Sequence, residues 1–362
     1  MGKKIIFLSS QLSLPRIIKR VTSFSEKGYE VEIYGFSRSE FLNGNSYPER
    51  IKVHSFGFLP DGQSYLHSLK EHHKFISKII KQENHNDVVY YAIGFIPALI
   101  CFLYAKRSYL YEISDLIYGT FKYSQLSAAF AFMDSLMIKK SLLTVLTSQG
   151  FSDYLFNGKQ PNNVIVQPNR LNSTFFSKVG RPKPLLSPNL RFGFVGYLRY
   201  TNTVFRFAMI IGEKFPDYSF SFYGDSKYAE EAKTMSEKYK NVHFFGKFKS
   251  PDDLSNIYSN LDVIVACYDT STFNEKVAEP NKLYESLFFC KPIIVSPNIF
   301  LSKRVCELRC GYEIDATNDS VVENFIKNLK HEELEAIAQH EYEMGLSEMI
   351  DNPNDIFAKV NI

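Results

Sequence analysis

The chain has 362 residues, more than one core usually organises, so two domains are expected. Apolar residues make up 45% and charged residues 22%, the balance of a soluble globular protein that can bury two cores. The formal charge of +3 is small and the basic residues are dispersed, which argues against a nucleic-acid partner.

From the amino terminus, MGKKIIFLSS carries too short an apolar run for a signal peptide. Short β-rich runs begin at Lys4, Tyr29, Ile51, Asp87, Ser108, Leu142 and Asn163 and alternate with longer helical patterns. Residues 88–105, VVYYAIGFIPALICFLYA, reach the length of a membrane span. Gly94 and Pro97 interrupt them and charges bracket them, so they read as a strand, a turn and a short buried helix. Residues 177–190, SKVGRPKPLLSPNL, have the composition of a semi-rigid linker. A second series of strands then begins at Phe192, Ser219, Asn241, Asp262, Lys291 and Gly311, and amphipathic helices follow Asp315.

This alternation predicts an α/β protein of two Rossmann-like domains. The expected division is 1–176, a linker over 177–190, 191–340, and a terminal segment 341–362. The five cysteines are odd in number and lie mostly in apolar contexts, which points to free thiols in a reducing, cytoplasmic compartment. Cys306 and Cys310 lack a second ligand pair, so no metal site is expected.

Open α/β sheets bind ligands at the carboxyl ends of their strands. In the second half those positions hold Gly196 and Arg199, with Thr201, Asn202 and Thr203 as an expected helix cap, then Gly224, then Phe245 and Lys247. The most informative stretch is PNKLYESLFFCKPIIVS, residues 280–296. Pro280 suits a helix start, and Lys282 and Glu285 share one face of the helix that follows. A lysine near the positive end of a helix favours phosphate oxygens, and a carboxylate one turn later can accept from ribose hydroxyls. Neither a G-x-G-x-x-G fingerprint nor a Walker A motif follows the first strand, which disfavours nicotinamide, flavin and P-loop chemistry.

The stretch resembles the P-x-K-x-x-E and G-K-P pattern of GT-B glycosyltransferases close to family 4, or group 1, with Cys290 where that family usually has glycine. The resemblance implies two Rossmann-like domains facing across a cleft, with a terminal helix packing back on the first. It implies a donor set of Gly196, Arg199, Gly224, Phe245, Lys247, Lys282, Leu283 and Glu285, with Arg199 and Lys282 on the leaving diphosphate. Many family 4 enzymes carry an earlier glutamate where this chain has Val277, and Glu275 or Glu279 could replace it. In the first half, LPRIIKRV and YEISDL resemble acceptor-domain motifs, with Ser114 in place of a histidine. Arg16, Glu112 and Asp115 are the implied acceptor residues, and Asp115 would act as a base only if the reaction inverts configuration. Retention is the expectation.

The resemblance further implies a metal-independent sugar transferase without a cofactor. Its substrates would be a UDP- or GDP-linked sugar and a saccharide or polyprenyl-linked acceptor, in bacterial surface-polysaccharide assembly. The lysine-rich segments 65–81 and 117–140 could touch the inner face of a membrane. A non-catalytic nucleotide-sugar-binding subunit and a nucleotide-sugar 2-epimerase are the alternatives.

Overall fold

The computed structural model describes residues 4–37, 47–60, 62–83, 88–106, 108–121, 124–173, 176 and 179–360. It divides into two compact units, Met1–Asn169 with Asn352–Ile362, and Arg170–Asp351.

The first unit is built on β1 (Lys4–Ser9), β2 (Glu30–Ser37), β3 (Lys52–Phe58), β4 (Val88–Ile93), β5 (Tyr109–Ile113), β6 (Leu143–Leu146) and β7 (Val164–Val166). They form one parallel sheet in the order β3-β2-β1-β4-β5-β6-β7. Parallel strands covered on both faces need continuous apolar runs, and the VVYYAI of β4 is buried at every position. Gly94, at φ 88°, then turns the chain into helix Phe95–Tyr104. Residues 88–105 are therefore a strand, a turn and a helix, and among the described residues no helix is long and apolar enough to cross a membrane.

A charged cluster lies beneath the rim of this sheet. Glu112, fully buried on β5, accepts hydrogen bonds from Tyr91 Oη at 2.6 Å and Arg20 Nε at 3.0 Å. Arg16 Nε stands 3.5 Å from its other oxygen. Burial opposes ionisation, but Arg20, Arg16 and the Tyr91 hydroxyl together hold the carboxyl below its ordinary range.

The second unit repeats the topology with β8 (Arg191–Val195), β9 (Ser219–Tyr223), β10 (Val242–Gly246), β11 (Val263–Ala266), β12 (Ile293–Val295) and β13 (Gly311–Glu313). The order is β10-β9-β8-β11-β12-β13, again all parallel. Strand order reverses between β8 and β11, and that switch point is where such sheets take ligands.

The unit boundaries differ from the sequence expectation. Residues 179–190 lie in the second unit, with Leu186 and Leu190 buried in its core. The segment after residue 340 is not a single returning element. Leu171 bridges Ile350 within the second unit, and only the residues from Asn352 onward join the first. There helix Asn354–Val360 buries Ile356 completely and sets Phe357 edge-on to Phe24 at 4.9 Å.

Removing Arg20 leaves Glu112 buried beside fewer cations. Arg20→Met is expected to cost about 3–5 kcal/mol in urea unfolding, with part of the loss recovered when Glu112→Gln is added.

Candidate active site

The site is assembled at the carboxyl ends of β8, β9 and β11 and on the second helix after β11, the one that leads into β12. That helix, Asn281–Phe289, begins directly after Pro280, which occupies the N-cap position with no side-chain cap. Pro280 thus precedes the helix where the sequence placed it inside the first turn. The helix start leaves its positive end open to an anion.

Lys282 does not pair with Glu285 as a solvated surface couple would. Its Nζ lies 4.6 Å from the centroid of the Phe194 ring and 5.6 Å from that of Tyr268. A β-carbon on Gly196 would sit 2.8 Å from Nζ, so glycine at this strand end makes the room for the ammonium. Burial pulls the Lys282 pKa down to about 8, with Glu285 opposing that shift and Arg199 adding to it. Two cations therefore converge with no carboxylate in ion-pair contact with Lys282, the electrostatics of a site completed by an anion.

Glu285 is buried, and its Oε2 accepts from Tyr258 Oη at 2.7 Å. Oε1 has no hydrogen-bond partner among the described residues. Burial raises the carboxyl above its ordinary range, and the Tyr258 hydroxyl and Lys282 moderate the rise. Tyr258 comes from helix Leu254–Ser259. Its distance from Glu285 in the chain hid the pairing from the sequence.

The loop after β8 carries Arg199, which is exposed, with its guanidinium carbon 5.2 Å from the Tyr200 ring centroid and 5.9 Å from that of Tyr197. Tyr200 has φ 146° and stacks on Tyr268 at 4.5 Å, a backbone conformation unfavourable for a non-glycine residue and held here by packing. The expected cap over 201–203 is instead a π-helical turn, Thr201–Phe205, because the Thr203 hydroxyl is drawn to the Cys267 carbonyl at the end of β11.

Gly224 has φ 148°, and a β-carbon there would lie 1.7 Å from the Gly196 carbonyl oxygen. The loops after β8 and β9 are thus in backbone contact, with Gly196 N donating to Tyr223 O, while Gly224 N donates to Gly246 O at the end of β10, each 2.8 Å. Phe245 is exposed and stacks on Tyr223 at 4.5 Å, presenting a flat apolar surface. Lys247 is exposed and pairs with Asp225 at 3.3 Å. The Leu283 side chain is fully buried in the core, so only its backbone remains for a ligand.

The two carboxylates near Val277 have structural partners. Glu275 closes a capping box with Thr272 on helix Phe273–Val277. Glu279 accepts from Tyr284 Oη at 2.6 Å and Arg304 Nε at 3.2 Å.

In the first unit the structure brings together Arg16 and Ser114, whose Oγ accepts from the guanidinium at 2.7 Å, next to exposed Asp115. Glu112 does not reach the surface. It is enclosed by Arg20, Tyr91 and Arg16, while Arg16 and Asp115 lie nearer the surface. Arg20, central to this cluster, was not singled out by the sequence motifs. Among the described residues no cluster of His, Cys, Asp or Glu is arranged to hold a metal.

Two parallel Rossmann sheets, with paired cations and an offset carboxylate at the switch point of the second, define a nucleotide-binding α/β protein. Residues 187–343 match the family model described as glycosyl transferases group 1. The second unit is therefore a group 1 glycosyl transferase domain, and the protein that carries it is a glycosyltransferase that uses a nucleotide-sugar donor. No curated protein matches the chain by sequence. Sucrose-phosphate synthase from Thermosynechococcus elongatus is similar in structure with a TM-score of 0.74 at 10% identity, over 99% of this chain and 98% of the other. Anabaena HepE, solved with UDP and glucose, gives 0.70 at 16% identity over 99% of both chains. WaaG, a glycosyltransferase involved in lipopolysaccharide biosynthesis, gives 0.65 at 12% identity over 97% and 98%. At these identities the likeness establishes the fold, the two-domain GT-B fold expected from the motifs.

The lowered pKa of Lys282 gives a test. Because burial penalises its charged form, the free protein loses this proton as pH rises through about 8, and with it the attraction for a diphosphate. UDP affinity by calorimetry is expected to fall about tenfold between roughly pH 7 and 9, and Lys282→Gln to flatten that profile at a weaker level.

Proposed function

We propose that the chain transfers a sugar from a UDP- or GDP-linked donor to a saccharide or lipid-linked saccharide acceptor, with retention of configuration and without a metal cofactor, in the assembly of a bacterial surface polysaccharide. The observation that carries the reading is the Lys282 ammonium, set between Phe194, Tyr268 and Gly196 beside Arg199, at an uncapped helix start. In this reading the diphosphate lies against Lys282, Arg199 and the helix end. Charge grows on it as the glycosidic bond breaks, and cations fixed in advance lower the barrier. The open oxygen of Glu285 accepts from the ribose hydroxyls, while Gly196, Gly224, Phe245 and Lys247 border the nucleotide.

Asp115 and Arg16 orient the acceptor in the first unit, and with retention no protein base is required of Asp115. That HepE was solved with UDP and glucose, and that WaaG acts in lipopolysaccharide biosynthesis, support the donor and pathway class. Exposed Leu66, Leu126 and Phe132, with Lys139 and Lys140, support peripheral contact with the inner face of a membrane.

Thermal shift against nucleotide sugars should show a response to UDP or GDP compounds, about 2.7 kcal/mol at a hundredfold excess over Kd. Lys282→Ala should lower kcat by about 10²–10³ and Glu285→Ala should weaken donor binding. NMR of the first-formed product should show the donor's anomeric configuration, and activity should survive EDTA. Nucleotide binding with no turnover on any lipid-linked acceptor would instead favour a non-catalytic subunit.

A further inference from the structure

A cavity of about 360 Å³ lies in the second unit at the amino-terminal ends of the strands, opposite the candidate site, where β8 begins and the chain enters β12. Its apolar wall includes Leu185, Tyr258 and Phe289, and its polar lining includes Lys183, Arg191, Lys291 and Ser255. This volume falls in the range of small-molecule sites, and a mixed lining with few convergent polar groups is their usual character.

The charges around it are unbalanced. The Arg191 guanidinium is neutralised by Asp262, with contacts of 2.9 and 3.0 Å, and the Asp262 carboxylate is fully used in that pairing and in bonds to the backbone of Ser187 and Arg191. Glu341 is the other nearby carboxyl. Burial pushes it well above the ordinary range, against Arg181 and Lys291, which favours its neutral form. Lys291 is buried with its Nζ donating to the Leu185 carbonyl at 3.2 Å, and burial lowers its pKa against the pull of Asp262, so Lys183, exposed with no ion-pair partner among the described residues, is the firmer cation of the two. The Ser255 hydroxyl is buried without a hydrogen-bond partner. Two lysines and an unused hydroxyl thus line a partly apolar space whose own lining includes no carboxylate.

The rim is rigid. Arg181 donates to carbonyls of Leu287 and Phe288 on one helix end and of Glu341, Tyr342 and Met344 on another, which pins the strap that carries Lys183 and Leu185. One wall also leads to the donor site. The Tyr258 ring stacks on Phe289 at 4.6 Å within the cavity lining, while its hydroxyl donates to Glu285.

We propose that this cavity is a second ligand site, for a small anion with a compact apolar body such as an aryl phosphate or carboxylate, and that its occupancy tunes donor binding through Tyr258. The anion meets Lys183, Lys291 and Ser255, and the apolar body lies on Tyr258 and Phe289. The tuning, though not the cavity binding, rests on the role given to Glu285 above.

The test is calorimetric titration of the full chain with phenyl phosphate and with benzoate, phenol being the neutral control, with and without saturating UDP. The expected result is binding of at least one anion, but not of phenol, that persists when UDP fills the donor site. Lys183→Glu should weaken it about tenfold and Ser255→Trp, which fills the space, should abolish it. With the cavity occupied, UDP affinity should change by about fivefold or more, and Tyr258→Phe should remove that change while leaving anion binding. Displacement of both anions by UDP, no binding of either, or binding untouched by both Lys183→Glu and Ser255→Trp would overturn the site. Unchanged UDP affinity at full occupancy would overturn the tuning. Should UDP itself fail to bind, the donor reading fails, and the anion titrations of the two cavity variants still decide the second site.

Discussion

A half-buried lysine ammonium, with no carboxylate in ion-pair contact among the described residues, is the constraint around which the candidate site of the second unit is arranged. Isolated burial of such a charge is costly, and the protein lowers the cost with ring faces instead of a counter-ion. Phe194 projects from β8 and Tyr268 from the end of β11, one on each side of the point where strand order reverses. Lys282 reaches its position only because Gly196 has no side chain, and the loop carrying Gly196 stays in place only because Gly224 admits its carbonyl. Tyr200 accepts a strained backbone to stack on Tyr268. These separate departures from ordinary geometry share a purpose: keeping a cation poised and unsatisfied.

The first unit solves the converse problem. There the group withdrawn from water is the Glu112 carboxylate, with Arg20 and Tyr91 hydrogen-bonded to one oxygen and the Arg16 cation set against the other. Arg16 is shared between this buried anion and Ser114 at the rim, so its guanidinium is held in one orientation. A buried ion pair of this kind adds little net stability, since desolvation offsets the attraction, but it fixes geometry. A fixed arginine beside an exposed aspartate suits an acceptor rich in hydroxyl groups.

The sequence made the sheets legible because parallel strands covered on both faces read as unbroken apolar runs, as in β4 and β12. The same property concealed orientation. Every position of β5 is buried, so no alternation could show that Glu112 points inward, and likeness to a motif conveys a residue's identity without its direction. Lys282 and Glu285 were legible because their relation is local to one helix. Tyr258, Phe194 and Tyr268 were not, since each meets the site through the fold from a distant part of the chain. Composition alone did not show which core the proline-rich segment joins: prolines report a stiff backbone, whereas the burial of Leu186 and Leu190 is set by the fold.

Offset along one helix explains how a single element can serve both parts of a nucleotide. Lys282 and Glu285 are three residues apart, about 4.5 Å along the axis, which is close to the separation of a diphosphate from the hydroxyls of its ribose. If the carboxylate stood at the helix start it would repel the diphosphate and oppose the helix end. Placed one turn further in and restrained by Tyr258, it is, in the proposed binding mode, set toward the neutral sugar while the ammonium meets the charge. Burial drives both groups toward their neutral forms, lysine downward and glutamate upward, so each holds its charge weakly. An arriving diphosphate reverses that balance at Lys282 first, and the ammonium so stabilised favours the ionised carboxylate beside it. In the proposed binding mode, then, the ligand supplies the missing charge that sets both side chains in their working states.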